Sequence, residues 1–238
     1  MKHIVQFSGG KDSTAMLLMM LEKGMPVDEI IFCDTGKEFP AMYDHIEKVH
    51  TYIHTLYGKE ITTLKADKSF DYYFSEHIKT KGKHMDNKGY GWATPLMRWC
   101  TSKLKVDVTT KYLKQQSEPY TLYIGIAYDE PKRHEKKPSN VKHPLYDWKI
   151  TEKEALAYCY ERGFTWEGTY EIFDRVSCWC CPLQSIKSLR KLRKHYPKLW
   201  EELMRMDLKQ NGTTFKADWT VEQLEARFSK EDLQQDLF

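Results

Sequence analysis

Apolar positions along the chain follow two rhythms. Short, largely apolar runs at Ile4 to Phe7, Glu29 to Cys33, Ile61 to Ala66 and Thr121 to Ile126 have the length of strands buried on both faces, and Val141 to Tyr146 is a candidate fifth. Between them lie helical stretches: Asp12 to Lys23, ending at Gly24, and Pro40 to Tyr57, closed by Gly58. Strands that alternate with helices predict an α/β fold, with a mostly parallel five-stranded sheet covered by helices on both faces. From Thr151 onward the pattern is helical. Thr151-Glu-Lys-Glu154 has the form of a capping box opening a helix to Arg162. Ser185 to Lys209 reads as one amphipathic helix, with Leu189, Leu192, Tyr196, Leu199 and Leu203 on one side. The expected division is an α/β domain over residues 1–148 and a helical C-terminal subdomain over 149–238. Residues 67–98, basic and punctuated by glycine, break the rhythm and are expected to form a mobile loop over the ligand site.

Composition narrows the class without choosing a function. The chain has 238 residues, 41% hydrophobic and 30% charged, which suits a protein with a real core. The run Ala15 to Leu21 is far too short to span a bilayer, and no signal peptide is visible, so a cytoplasmic protein without a membrane partner is expected. The net charge of +3 is unevenly spread. Residues 201–238 hold nine acids and five bases, which leaves residues 1–200 with 32 bases against 25 acids, or +7. A basic body permits a polyanionic partner.

The densest chemistry lies between the first strand and the first helix, in Ser8-Gly-Gly-Lys-Asp-Ser-Thr14. Gly9 and Gly10 allow a tight turn that presents N–H groups at a helix start, where the dipole favours an anion. Lys11 adds a point charge for phosphate oxygens. Ser8 and Ser13 add hydroxyl donors, and Asp12 can hold Mg²⁺ or cap the helix. In parallel sheets such sites lie beyond the carboxyl ends of strands.

Ser8-Gly-Gly-Lys-Asp-Ser13 resembles the pyrophosphate loop (PP-loop) of the adenine-nucleotide α-hydrolase superfamily, whose HUP-like fold matches the α/β pattern. "FCDTGKEFP", "RWCTSKLKVD" and "GIAYDEPKRH" resemble three further segments of its phosphoadenosine phosphosulfate (PAPS) reductase family. The resemblance implies that Asp34, Thr35 and Gly36 face adenine, ribose or metal. It also implies that Lys105 and Arg133 bind phosphate, that Glu130 and Arg133 lie at the end of the fourth strand, and that Gly125 and Glu130 belong to the nucleotide site. ATP with Mg²⁺ held by Asp12 or Asp34, and cleavage between the α and β phosphates assisted by Lys11 and Arg133, follow from the same likeness.

The six cysteines are too unevenly spaced for a disulfide framework. Cys178 and Cys181 have the C-x-x-C spacing that lets two thiolates reach one metal, with Pro182 then expected to begin a helix. Cys100, within a family-like segment, would supply a third thiolate, and Cys180 is either a fourth ligand or a free thiol. Sulfur-inserting members of the superfamily imply a [4Fe–4S] cluster, with Zn²⁺ the alternative. Cys159 and Cys33 read as packing residues.

Reductases of the family lack the loop lysine and end in a catalytic cysteine, whereas this chain keeps Lys11 and has no cysteine after 181. The closest resemblance in character is therefore to ATP-dependent sulfurtransferases, with tRNA or DNA as acceptor and a sulfur donor such as a cysteine desulfurase. The alternatives are a PAPS reductase and a non-catalytic nucleotide-binding Fe–S module. Lys187, Arg190, Lys191, Lys194 and Lys198 form a basic face suited to phosphates, joined by Lys79, Lys81, Lys83 and the "PKRHEKK" run. Tyr90, Trp92 and Trp99 are candidates for stacking a base.

Overall fold

The computed structural model describes residues 1–80, 85–135, 137–209 and 213–235. Five strands form one sheet: β1 (Lys2–Gln6), β2 (Glu29–Asp34), β3 (Ile61–Lys65), β4 (Tyr120–Ile124) and β5 (Val141–Lys142). Their order is β3-β2-β1-β4-β5, and every pairing is parallel. The expected strand run to Tyr146 stops at Lys142 because His143-Pro144 opens a short helical turn, Pro144–Asp147.

The helix α1 (Lys11–Glu22) follows β1, and every residue from Ser13 to Leu21 is buried. A helix apolar all round belongs in an interior. The helix α2 (Pro40–Tyr57) begins with proline at its first position and ends at Gly58 in the left-handed conformation, φ 61°. The helix α3 (Asp107–Leu113) supplies Tyr112 and Leu113 to a cluster around Ile4, Ile31, Leu122 and Val141 of the sheet. The helix α4 (Glu152–Glu161) carries the expected capping box at Thr151 and packs along α1.

The chain divides into two compact units with interleaved segments. Met1–Asp34, Glu38–Lys65 and Lys105–Ser177 form the first, and Thr35–Lys37, Ala66–Leu104 and Cys178–Phe238 the second. Residues 149–177 thus group with the sheet, through the contact of α4 with α1, and not with the later helices.

The second unit is built on three helices, α5 (Ile186–His195), α6 (Pro197–Lys209) and α7 (Val221–Gln235), and on an aromatic core. The single helix expected over Ser185–Lys209 is two, since Tyr196 leaves the helical region at φ −132°, ψ 61° before Pro197. Ser185, not Pro182, starts α5, and its hydroxyl accepts the Ser188 N–H at 3.0 Å. In the stretch expected to be a mobile loop, residues 81–84 lie outside the described residues and 94–98 are exposed, but aromatic side chains anchor parts of it in the core. Trp92 is 1% exposed, its ring lies against Phe74 and Phe215, and its indole donates to Asp207 at 2.6 Å. Trp99 is buried too and donates to the Gly91 carbonyl at 2.9 Å. These two indoles are core, which removes them as base-stacking candidates; Tyr90 is partly exposed and stacks on Trp99.

Candidate functional site

In the first unit a cavity of about 210 Å³ opens at the carboxyl ends of β1 and β4, lined by the first turn of α1. Here the strand order turns from one direction to the other, the position where parallel sheets bind ligands. Gly9, at φ 76°, carries the turn, and a Cβ there would sit 2.7 Å from the Met42 sulfur. Gly10 is the N-cap of α1 and provides no side-chain cap; of the first-turn N–H groups, that of Lys11 donates to the Tyr170 hydroxyl at 3.0 Å. Ser13 Oγ receives the Ser8 N–H at 3.1 Å, lies 2.9 Å from Ser8 Oγ and donates to the Gly10 carbonyl, which draws the loop into a ring.

Lys11 is buried, and its Nζ lies 2.5 Å from Glu152 Oε2 and 3.1 Å from Asp12 Oδ2. Burial alone would lower its pKa, but the two carboxylates outweigh it and hold the ammonium charged. Burial pushes Asp12 up to about 6 despite Lys11 beside it. Glu130 Oε1 pairs with Arg133 at 2.6 Å, while its buried Oε2 has no hydrogen-bond partner among the described residues.

Gly125, just past β4, packs under the loop; a Cβ there would stand 2.8 Å from the Ser13 backbone nitrogen. Beneath the loop, the Trp166 indole donates to the Gly9 carbonyl at 2.8 Å and stacks on His45, which meets the Thr14 hydroxyl at 3.0 Å. His45 is held neutral, pushed down to about 3 by burial.

Ser8, Gly10, Lys11, Asp12, Ser13, Gly125, Glu130 and Arg133 therefore line one cavity. Asp34 and Lys105 are not part of that lining. Asp34 accepts from Tyr43 at 2.9 Å and from Lys65 at 3.1 Å, and Lys105 pairs with Glu38 at 3.3 Å. Thr35 and Gly36 belong to the second unit. Glu152, Tyr170, Arg175 and Val176 line the cavity without having been anticipated. Glu152 lay in sight as the first residue of a capped helix, while Tyr170 and Arg175 carry no local signal.

The second unit holds Cys100, Cys178, Cys180 and Cys181, none in a disulfide. Their loop is tied back by its own peptide groups. Trp179 N–H donates to the Lys37 carbonyl at 3.1 Å, Gln184 Nε2 to the Trp179 carbonyl at 2.8 Å, and Lys216 Nζ to the Pro182 carbonyl at 2.7 Å. The Thr35 hydroxyl lies 3.9 Å from Cys178 Sγ. Burial and then the neighbouring Cys178 push the Cys180 thiol well up, and burial and then Cys181 push up Cys100. Lys37, buried between the Phe70 and Trp179 rings and paired with Asp71 at 3.1 Å, opposes the rise at Cys180. The donor chemistry fits a thiolate-bound metal, yet among the described residues no three Cys, His, Asp or Glu side chains converge as a metal centre would. Cys159, fully buried against the Lys11 carbonyl, is packing as expected.

The basic face of α5 is partly neutralised: Arg190 pairs with Glu231 and with Asp232 at 3.1 Å. Lys187, Lys194 and Lys198 are exposed; Lys81, Lys83 and Lys136 lie outside the described residues. Among the described residues no helix is long and apolar enough to cross a membrane.

The family profile of the phosphoadenosine phosphosulfate reductase domain matches residues 2–184. The uncharacterized protein MJ0066 of Methanocaldococcus jannaschii is 28% identical, covering 84% of this chain and 40% of that protein. The uncharacterized nin region protein ORF290 of Escherichia phage lambda is 30% identical over 58% of this chain and 52% of its own length. The chain thus spans about half or less of these curated relatives. Among solved structures, the U34-tRNA thiolase NcsA from Methanococcus maripaludis, with its [4Fe-4S] cluster, superposes with a TM-score of 0.44 at 18% identity. That match covers 86% of this chain and 70% of NcsA.

Proposed function

Because the chain belongs to the phosphoadenosine phosphosulfate reductase domain family, we propose that it is an adenine-nucleotide enzyme that cleaves ATP between its α and β phosphates and transfers sulfur to the adenylated acceptor. The observation that carries this reading is the intact phosphate loop, with charged Lys11 and Arg133 lining one cavity at the strand ends. A loop that only recognised a sulfonucleotide would not need the lysine.

In the proposed reaction an acceptor oxygen attacks the α-phosphorus, the bond to the bridging oxygen breaks, and pyrophosphate leaves with that electron pair. Sulfur at the sulfide level then attacks the activated carbon, the carbon–oxygen bond breaks, and AMP departs. Lys11 and Arg133 stabilise the charge gathering on the leaving phosphates, exchanging Glu152 and Glu130 for phosphate oxygens. Asp12, which lines the cavity, suits Mg²⁺ better than Asp34, which does not. Cys100, Cys178 and Cys181, with Cys180, are the residues that would hold a [4Fe–4S] cluster or zinc; a cluster would supply sulfide binding or an electron. The exposed lysines of α5 favour a polyanionic acceptor, tRNA or DNA.

The deciding experiment measures AMP and pyrophosphate formation from ATP with and without nucleic acid, in the wild type and Lys11→Ala. Conversion that needs both the acceptor and Lys11 supports the reading. Reduction of PAPS to sulfite by a thiol donor, with ATP ignored, would replace it with the reductase reading. Nucleotide binding without turnover would leave a non-catalytic module.

A further inference from the structure

The cavity over the phosphate loop has two walls, and the motifs account for one. The other is the segment Trp166–Val176, from which Tyr170, Arg175 and Val176 line the cavity. Trp166 and Glu167 are consecutive non-glycine residues with φ of 48° and 50°, a conformation that side chains avoid unless packing imposes it. The packing is visible: Trp166 is buried, stacked on His45 and bonded to the Gly9 carbonyl. This pinned bend starts the turn Thr169–Ile172, on which the Tyr170 hydroxyl accepts the Lys11 N–H at 3.0 Å. Burial raises the phenol well above its ordinary range, so the hydroxyl keeps its proton. That proton finds no acceptor among the described residues, although the oxygen sits at the helix start where a phosphate would bind.

The charges lining the cavity tell a matching story. Lys11 is held by Asp12 and Glu152, and Arg133 by Glu130. Arg175 is exposed and forms no ion pair among the described residues. It is the lining cation that can meet an anion without first leaving a carboxylate. We propose that Tyr170 and Arg175 complete the phosphate site, the hydroxyl donating to a phosphate oxygen above the first turn of α1 and the guanidinium pairing with the outer phosphate. The inference rests on the phosphate-loop reading and extends it to residues outside the motifs.

Calorimetric titration with Mg²⁺ and inorganic pyrophosphate tests it on five proteins: wild type, Lys11→Ala, Tyr170→Phe, Arg175→Gln and Arg175→Lys. Tyr170→Phe keeps the ring against Trp166 and should weaken binding roughly 3- to 10-fold, the loss of one hydrogen bond. Arg175→Gln should weaken it roughly tenfold or more and flatten its salt dependence, while Arg175→Lys restores the salt dependence. A residue that only supported the fold would not move the salt slope. If Lys11→Ala loses binding while Tyr170→Phe and Arg175→Gln bind as the wild type, the second wall is wrong and the loop reading stands. If Lys11→Ala also binds as the wild type, the loop reading itself falls. Should Tyr170→Phe fail to fold, exposed Arg175 carries the test: an unchanged affinity and salt slope in Arg175→Gln overturns the proposal.

Discussion

Gly125→Ala is the sharpest probe of how the sheet positions the phosphate loop. The glycine follows β4, and an added Cβ would lie 2.8 Å from Ser13 N, 2.9 Å from the Asp12 carbonyl carbon and 2.9 Å from Ser13 Cα. All three are backbone atoms of the first turn of α1, so no side chain can swing away. Ordinary contact begins at 3.4 Å, so the helix start must retreat by about 0.6 Å. Its φ is not in the left-handed region, so the cost is space alone. Overpacking of this kind costs about 1–3 kcal/mol, and a displaced first turn should also misdirect the N–H groups that would meet a phosphate. Gly58→Ala is the control. Gly58 has φ 61° with nothing within 4 Å of a new Cβ, so it should lose about 1–2 kcal/mol through backbone strain alone. Denaturant unfolding and pyrophosphate titration of both variants separate the effects: both lose stability, but only Gly125→Ala loses affinity. Wild-type affinity in a folded Gly125→Ala would refute the claim that close strand–helix approach sets the phosphate geometry.

Other outcomes follow from the same geometry. Asp12 has a folded pKa of about 6, above the ordinary 3.8, so the folded state holds its proton longer and its contribution to stability falls as pH rises between those values. His45, pushed down to about 3, acts oppositely, and stability falls as pH drops below its ordinary 6.5. Asp12→Asn should therefore show a steeper rise of unfolding free energy with pH than the wild type between about 4 and 6; identical slopes would contradict the assignment. Glu152→Gln removes a competitor for Lys11 and should tighten pyrophosphate binding roughly threefold, the scale of a half-exposed ion pair; weaker binding would mean that Glu152 helps hold the ligand. Trp166→Phe leaves the Gly9 carbonyl without its indole and should cost about 1–3 kcal/mol in chemical unfolding. Anaerobically purified protein should contain iron and sulfide that fall in Cys100→Ser, Cys178→Ser or Cys181→Ser but not in Cys159→Ser; stoichiometric zinc without iron would favour the structural-metal alternative.

Local order was legible wherever neighbours in sequence act on one another. The first four strands, the capping box at Thr151, the proline start and glycine end of α2, and the turn at Gly9-Gly10 rest on short-range signals and lie within a residue or two of where the residues predicted them, whereas the fifth strand stops short at Lys142. The loop Ser8 to Thr14 stood out for the same reason: glycines, a lysine and hydroxyls packed into one turn state their chemistry locally. The tertiary structure alone decided the rest. Tyr196-Pro197 was readable in principle, yet the leucine period carried across it and hid the break between α5 and α6. Trp92 looked like a loop aromatic because its burial depends on Phe74, Phe215 and Asp207, the last two more than a hundred residues away. Tyr170 and Arg175 line the cavity only because Trp166, held in a left-handed bend, reaches the Gly9 carbonyl 157 residues earlier in the chain. Periodicity and turn chemistry report forces within a few residues. Burial, ion pairing and the second wall of a cavity depend on which distant segments the packed core brings together, and no local pattern encodes that.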